Sequence, residues 1–286
     1  MTEDERRRST LMTLNGSFGA RLRARKLYRN SPDRLLVVPL DHSVTDGPIA
    51  TAAGLNHLVG RLSDNGVDAI VLHKGTLRRL DPEPFTRTSL IVHLSVSTMH
   101  APDPDAKYLV SDVENALRLG ADAVSVHVNV GSAGEAAQVA DMAAVADACD
   151  RWNIPLLAMM YPRGPEISDP RDLVLVKHVA TLAADLGADL VKVPCPRTVT
   201  DLADVVSACP VPVLVAGGQV ADTTEELLDA VGGILDTGVG GLAMGRNIFQ
   251  ADDPGKRARQ VADLVHAPPL RYGPAGTSGP APQRLP

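Results

Sequence analysis

Ala188-Asp189-Leu190-Val191-Lys192-Val193-Pro194-Cys195-Pro196 is the stretch around which this 286-residue chain is organised. It reads as a buried strand interrupted by one lysine. Lysines are almost never fully buried unless they are paired or working. Burial disfavours the charged form of an amine, and a neutral amine can attack a carbonyl to give a Schiff base. Taken alone, the stretch favours a plainer account, in which Lys192 ends the strand and snorkels to solvent. Its neighbours in the sequence reverse that preference.

The stretch is the sixth member of a series. Leu35–Leu40 runs into Asp41-His42, Val67–Leu72 into His73-Lys74-Gly75, and Leu90–Leu94 into Ser95. Ala123–Val128 runs into Asn129, and Pro155–Met160 into Tyr161-Pro162-Arg163. After Leu190-Val191-Lys192 come Val211–Ala216, ending in Gly217-Gly218, and Val239–Met244, ending in Gly245-Arg246. Helical periodicity fills most of the intervals. Re-entry is marked by Gly66-Val67-Asp68, Gly120-Ala121-Asp122 and Gly187-Ala188-Asp189, where glycine closes the helix. Eight strands alternating with helices predict a (β/α)8 TIM barrel, with α/β class and one domain over residues 13–266. The alternative, a doubly wound sheet, usually carries an early GxGxxG, and none follows the first strand. Phe18, Leu22 and Leu27-Tyr28 fall near helical spacing and predict a short amphipathic helix ahead of the barrel.

Composition agrees. The chain is 44% hydrophobic but only 3% aromatic, so its core is aliphatic, as in a covered parallel sheet. The formal net charge of -6, with no dense basic run in the apolar pattern, argues against nucleic acid as a partner. Cys149, Cys195 and Cys209 form no CxxC and no Cys/His ligand spacing, so neither a disulfide framework nor a metal site is read. No apolar run reaches membrane-spanning length, and the acidic Met1–Glu5 segment has no apolar leader core; a cytoplasmic protein is the expectation. Residues 1–12 and the Pro/Gly-rich residues 267–286 are expected to be disordered.

In a barrel, the C-terminal strand ends converge on one face, and that face carries the chemistry. Asp41, His42, Lys74, His127, Tyr161, Arg163, Lys192 and Arg246 all lie at or near strand ends. Gly217, Gly218, Gly245 and Arg246, after the seventh and eighth strands, are where this fold commonly holds phosphate, with exposed backbone N–H groups and an arginine fork. Tyr161, on the strand beside Lys192, can move protons at the carbon being bonded. Asp41 can accept a proton. The plain alternatives are a packing tyrosine, a capping aspartate and glycines that only turn the chain. For His42, Lys74, His93 and His127, structural and functional accounts stand even.

Several motifs together carry a resemblance. Val38-Pro39-Leu40-Asp41-His42-Ser43-Val44-Thr45-Asp46-Gly47-Pro48-Ile49 resembles the opening signature of archaeal-type class I fructose-bisphosphate aldolases and, more, that of their relatives the 2-amino-3,7-dideoxy-hept-6-ulosonate synthases. Leu72–Gly75, Ser125–Ser132, Ala158–Gly164, Val215–Gly218 and Gly245–Gln250 match as well, so the likeness spans about residues 15 to 266. The resemblance implies a Schiff-base aldolase with catalytic Lys192, Tyr161 and Asp41. It implies substrate-binding His42, Ser43, Val44, Thr45, Lys74, His127, Pro162 and Arg163, and phosphate on Gly217, Gly218, Gly245 and Arg246. It implies no metal and no cofactor, a phosphorylated ketone donor, an aldehyde acceptor, and a homo-oligomer built on decameric rings.

Within the family, the chain is most similar to a branch that joins dihydroxyacetone phosphate to aspartate semialdehyde, giving a precursor of 3-amino-4-hydroxybenzoate in secondary metabolism. A transaldolase-type hept-6-ulosonate synthase, a fructose-bisphosphate aldolase and a non-catalytic sugar-phosphate-binding barrel are the alternatives. One departure stands beside the lysine: Val193-Pro194-Cys195-Pro196 replaces the small polar or aromatic residue and glycine-containing turn of the family pattern.

Overall fold

Ten strands form in chain order: β1 Leu35–Pro39, β2 Ala69–His73, β3 Ser89–His93, β4 Ser95–Val96, β5 Tyr108–Leu109, β6 Ala123–Val130, β7 Leu156–Pro162, β8 Leu190–Val193, β9 Val213–Ala216 and β10 Gly241–Ala243. They belong to a computed structural model that describes residues 17–268. The ends read as disordered lie outside the described residues, apart from Ala267 and Pro268. Eight of the strands close into a parallel barrel in the order β1-β2-β3-β6-β7-β8-β9-β10, with β10 returning to β1. The short pair β4 and β5 is antiparallel and sits in an excursion after β3.

Side chains alternate between the two faces of each strand, and this parity sorts the apolar residues into two layers. Leu35, Val37, Ala69, Val71, Ile91, Ala123, Leu157, Leu190, Leu214 and Ala243 pack together inside the barrel. The opposite parity, including Leu36, Val38, Ile70, Val92, Val124, Ala158 and Val191, packs beneath the surrounding helices. Fully burying each of the larger aliphatic side chains contributes about 1.5–3 kcal/mol.

The Gly-X-Asp re-entries do more than end helices. Asp68 Oδ2 accepts from Leu36 N at 2.7 Å, Asp122 Oδ2 from Leu90 N at 3.1 Å, and Asp189 Oδ2 from Leu156 N at 2.8 Å. Each carboxylate thus satisfies a backbone N–H at the start of the neighbouring strand, a group that burial would otherwise leave unpaired. Gly66, Gly120 and Gly187 supply the left-handed turn before each of these aspartates.

The N-terminal helix Phe18–Leu27 forms, and of its expected apolar residues Leu27 and Tyr28 are buried while Phe18 and Leu22 are not. Ala20, Ala24 and Leu27 are its buried residues. Phe18 and Leu22 are 75% and 49% exposed. Ala24, Leu27 and Tyr28 join the inner core, so the helix caps the end of the barrel opposite the strand C-termini. Alanines allow its backbone to lie close to the strands, and Lys26 bonds Asp122 at 2.9 Å to hold it there.

Candidate active site

Strand parity decides where Lys192 points. It shares the inward parity of Leu190 and pairs in register with Met159 on β7. The side chain is only 9% exposed, which excludes the snorkelling alternative. Its Nζ lies 4.0 Å from Met159 Sδ and 5.9 Å from the centroid of the Tyr161 ring. A thioether is a weak acceptor. Among the described residues the amine forms no ion pair, so it faces the cavity with its bonding capacity largely unused.

Asp41, two residues beyond the end of β1, lies between two imidazoles. His42 Nδ1 is 3.6 Å from its Oδ1, and His93 Nε2 is 3.7 Å from its Oδ2. Burial alone would raise the pKa of this carboxyl. His93, His42, Lys192 and His73 together outweigh that effect and lower it to about 2, so Asp41 is ionised at neutral pH. Burial pushes the imidazole of His93 down to about 4, and the attraction of Asp41 only partly opposes this. Its Nδ1 is 2.8 Å from Ser125 Oγ, which orients the ring. Burial likewise lowers His42 and His73 against the pull of Asp41.

Tyr161 packs against His127 and Arg163. The His127 ring centroid lies 4.9 Å from that of Tyr161, and the Arg163 guanidinium stacks 4.6 Å from the tyrosine centroid. His127 Nε2 is 2.9 Å from Asn129 Oδ1. Burial, with Lys107, His93 and Arg163 nearby, holds His127 well below the usual imidazole range.

After β9 and β10, the chain leaves no room for side chains at two of the glycines. A Cβ on Gly217 would lie 2.8 Å from Met244 Cγ, and one on Gly245 would lie 2.8 Å from His42 Cε1 and 3.0 Å from Pro39 O. Gly218 has a left-handed backbone, with φ of 64°. Asn247 fastens the two loops. Its amide donates to Gly217 O at 2.9 Å and Gln219 O at 2.8 Å, and its Oδ1 accepts from Ala221 N at 2.9 Å. Arg246 Nη2 donates to Gly218 O at 3.2 Å, so the arginine sits over the glycine loop while its fork remains exposed.

These groups surround one cavity of about 320 Å³ at the C-terminal ends of the strands. Of the residues predicted from sequence, Asp41, His42, Thr45, His127, Tyr161, Arg163, Lys192, Gly217, Gly218, Gly245 and Arg246 line it. Ser43, Val44 and Lys74 do not. They line a separate cavity of about 620 Å³. Lys74 follows the last residue of β2 and turns its amine to the Val110 carbonyl, away from the central cavity. Pro162 is buried and has the outward parity of Met160, with Val130 as its register partner. His93 does not line the cavity but contacts Asp41 from beneath it.

Sequence reasoning missed Pro39, Asp46, Lys107, Met159, Ala216, Ala243 and Asn247, all of which line the cavity. Strand parity could have found Pro39, Met159, Ala216 and Ala243. Nothing in the local sequence distinguishes Lys107, which lies in a polar loop.

The departure at Val193–Pro196 has a structural counterpart. Arg171 Nε donates to Cys195 O at 3.1 Å, and its Nη2 donates to Pro196 O at 2.7 Å and to Arg197 O at 3.2 Å. The loop after β7 therefore clamps the turn that follows Lys192. An arginine fork orders this backbone without a glycine turn.

Fold and site together define an aldolase, a carbon–carbon lyase on a TIM barrel. The model of the DeoC/LacD family aldolases matches residues 35–251, and the chain belongs to that family. It is 60% identical over 255 residues to the 2-amino-4,5-dihydroxy-6-oxo-7-(phosphonooxy)heptanoate synthase of Streptomyces griseus, covering 89% of this chain and 93% of that one. It is 40% identical over 249 residues to the 2-amino-3,7-dideoxy-D-threo-hept-6-ulosonate synthase 1 of Archaeoglobus fulgidus, covering 87% and 92%. Among solved structures, an archaeal fructose-1,6-bisphosphate aldolase with its catalytic lysine bound to the carbinolamine intermediate matches with a TM-score of 0.78. That pair shares 27% identity, covering 85% of this chain and 99% of the other. Among the described residues, no helix is long and apolar enough to cross a membrane.

Proposed function

We propose that this protein is a class I aldolase that joins dihydroxyacetone phosphate to L-aspartate 4-semialdehyde through a Schiff base on Lys192. The product is 2-amino-4,5-dihydroxy-6-oxo-7-(phosphooxy)heptanoate. The observation that carries the chemistry is the inward amine of Lys192 beside Tyr161, which forms no ion pair among the described residues. The likeness to the Streptomyces griseus synthase supports the choice of substrates.

Lys192 Nζ attacks the ketone carbon of the donor. Water leaves and an iminium forms. The iminium draws electrons from the adjacent carbon, so the hydroxymethyl carbon gives up a proton to Asp41 or Tyr161, directly or through water. The resulting enamine attacks the aldehyde carbon of the acceptor and forms the new carbon–carbon bond. Tyr161 protonates the alkoxide, and water then adds to the iminium to release the ketone product and the free lysine. Gly217, Gly218, Gly245 and Arg246 hold the phosphate, which fixes the donor's geometry by binding far from the reacting carbons.

The product serves as a precursor of 3-amino-4-hydroxybenzoate in secondary metabolism, and the enzyme works in the cytoplasm as a homo-oligomer. Borohydride reduction with dihydroxyacetone phosphate, followed by mass spectrometry, tests the central assignment. The adduct is expected on Lys192 and absent from Lys192→Ala. Adduct formation in that variant would overturn the assignment. Turnover with glyceraldehyde phosphate but not aspartate semialdehyde would make the protein a fructose-bisphosphate aldolase instead. Mass of a deoxy-sugar donor on the lysine would point to a hept-6-ulosonate synthase.

A further inference from the structure

The central cavity holds more charge than its phosphate end uses. Lys107 and Asp46 also line it, and neither belongs to a barrel strand. Lys107 lies in the excursion after β3, just before β5. Asp46 ends the one-turn helix Ser43–Asp46 after β1.

Ser97 joins the two segments. Lys107 Nζ donates to Ser97 Oγ at 2.5 Å, Thr45 Oγ1 donates to Ser97 O at 3.1 Å, and Met99 N donates to Thr45 O at 3.2 Å. A second tether comes from the barrel. Asn129 Nδ2 and Gln138 Nε2 donate to Asp105 O at 2.9 Å and 3.1 Å. Ser97, Asn129 and Gln138 are all buried, so the seat of Lys107 is built into the fold rather than left on a surface loop.

The seat is costly for a cation. Burial and the neighbouring Arg163 push the Lys107 amine below its ordinary range, while Asp105, Asp41 and Asp46 oppose them. Two cations beside each other in a half-buried site are stabilised when an anion arrives. Phosphate already has Arg246 and the glycine loops, so this anion is a second one. Asp46 on the same rim adds a carboxylate that suits a cationic group close to that anion. An anion and a cation carried a few ångströms apart describe the two ends of an amino acid.

We infer that Lys107 and Asp46 form the amino-acid pocket for the aldehyde acceptor, with Lys107 and Arg163 holding its α-carboxylate and Asp46 its α-ammonium; this rests on the aldolase function proposed above. The aldehyde then points from this pole toward Lys192 and Tyr161, and donor and acceptor enter from opposite ends of one cavity.

The test compares L-aspartate 4-semialdehyde with 4-oxobutanoate, which lacks the amine, and 3-aminopropanal, which lacks the carboxylate, each measured as a substrate or a competitive inhibitor. The unaltered enzyme prefers the complete amino acid. In Asp46→Asn its preference over 4-oxobutanoate falls about tenfold, and in Lys107→Met its preference over 3-aminopropanal falls about tenfold. Lys107→Arg restores much of the second preference. Variants that weaken all three compounds by the same factor, or that leave both preferences intact, overturn the pocket. Borohydride trapping of dihydroxyacetone phosphate on the unaltered enzyme separates the two levels. Trapping with flat preferences overturns the amino-acid pocket alone. No trapping overturns the Schiff-base function and this pocket with it.

Discussion

His93 Nε2 stands 3.7 Å from Asp41 Oδ2, while His93 Nδ1 is 2.8 Å from Ser125 Oγ. One imidazole therefore links a serine on β6 to the carboxylate beyond β1. Burial pushes the Asp41 pKa up, and the groups led by His93 pull it down to about 2. Replacing His93 with leucine removes the largest opposing influence, so the Asp41 pKa rises. The acid limb of kcat should move to higher pH by roughly one unit in His93→Leu. A pH–rate profile that overlays that of the unaltered enzyme would rule out a role for the ionised Asp41 carboxylate in setting that limb.

The same buried histidines tie stability to pH. The folded-state pKa of His93 falls from 6.5 to about 4, and those of His42, His73 and His127 are lowered too. A lowered histidine pKa means that the unfolded chain binds the proton first as pH falls. For His93, stability is therefore full above 6.5 and declines as pH drops toward 4. Asp41, lowered from 3.8 to about 2, adds a further loss below 3.8. Each such proton gives a slope of roughly 1.4 kcal/mol per pH unit. Urea unfolding between pH 7 and 4.5 should show this decline, with a shallower slope in His93→Leu. Constant stability across the range would contradict the neutral, buried imidazoles.

Tyr161 is placed to deliver a proton to the new alkoxide, so its loss should spare the first covalent step. Tyr161→Phe keeps the ring that packs against His127 and Arg163. The variant should still give a borohydride adduct on Lys192, while kcat falls about 10²- to 10⁴-fold. Full turnover in Tyr161→Phe would move the proton donor elsewhere.

Arg246 sits over the glycine loop through its bond to Gly218 O, with its fork exposed. Arg246→Gln should raise the KM for dihydroxyacetone phosphate by about tenfold or more, because a charge-assisted contact is lost. Unphosphorylated dihydroxyacetone, a poor donor throughout, should be affected far less. Equal losses on both donors would mean that the arginine shapes the loop and does not bind phosphate.

Far from the cavity, Asp189 accepts from Leu156 N at 2.8 Å. Asp189→Ala leaves that N–H unpaired at the start of β7 and should cost about 1–3 kcal/mol of stability, read from urea unfolding. An unchanged midpoint would show that the N–H finds another partner. The trapped adduct on Lys192 should survive, since the change lies at the opposite end of β8.

Much of the fold was legible because the barrel repeats. Eight apolar runs, their polar ends and the Gly-X-Asp re-entries are local signals, and each recurs. Placement of Lys192 beside Tyr161 followed from counting strands. The re-entry aspartates were visible as a pattern, but their bonds to the neighbouring strand were not, because those bonds join residues 32 or 33 positions apart. Spacing placed only half of the N-terminal helix face: Leu27 and Tyr28 are buried, but Ala20 and Ala24 pack where Phe18 and Leu22 were expected.

By itself, the sequence determined the eight strands of the barrel, their order and the side chains that end them, but not the antiparallel pair β4 and β5. Those follow from chain-local hydrophobic periodicity, which acts before any distant contact forms. Tertiary structure alone decided which loop residues reach the cavity. Lys74 follows its strand by one residue and turns away, whereas Lys107 arrives from an excursion and is seated by Ser97. Loop residues have no period to read, and long-range hydrogen bonds to buried groups set their direction.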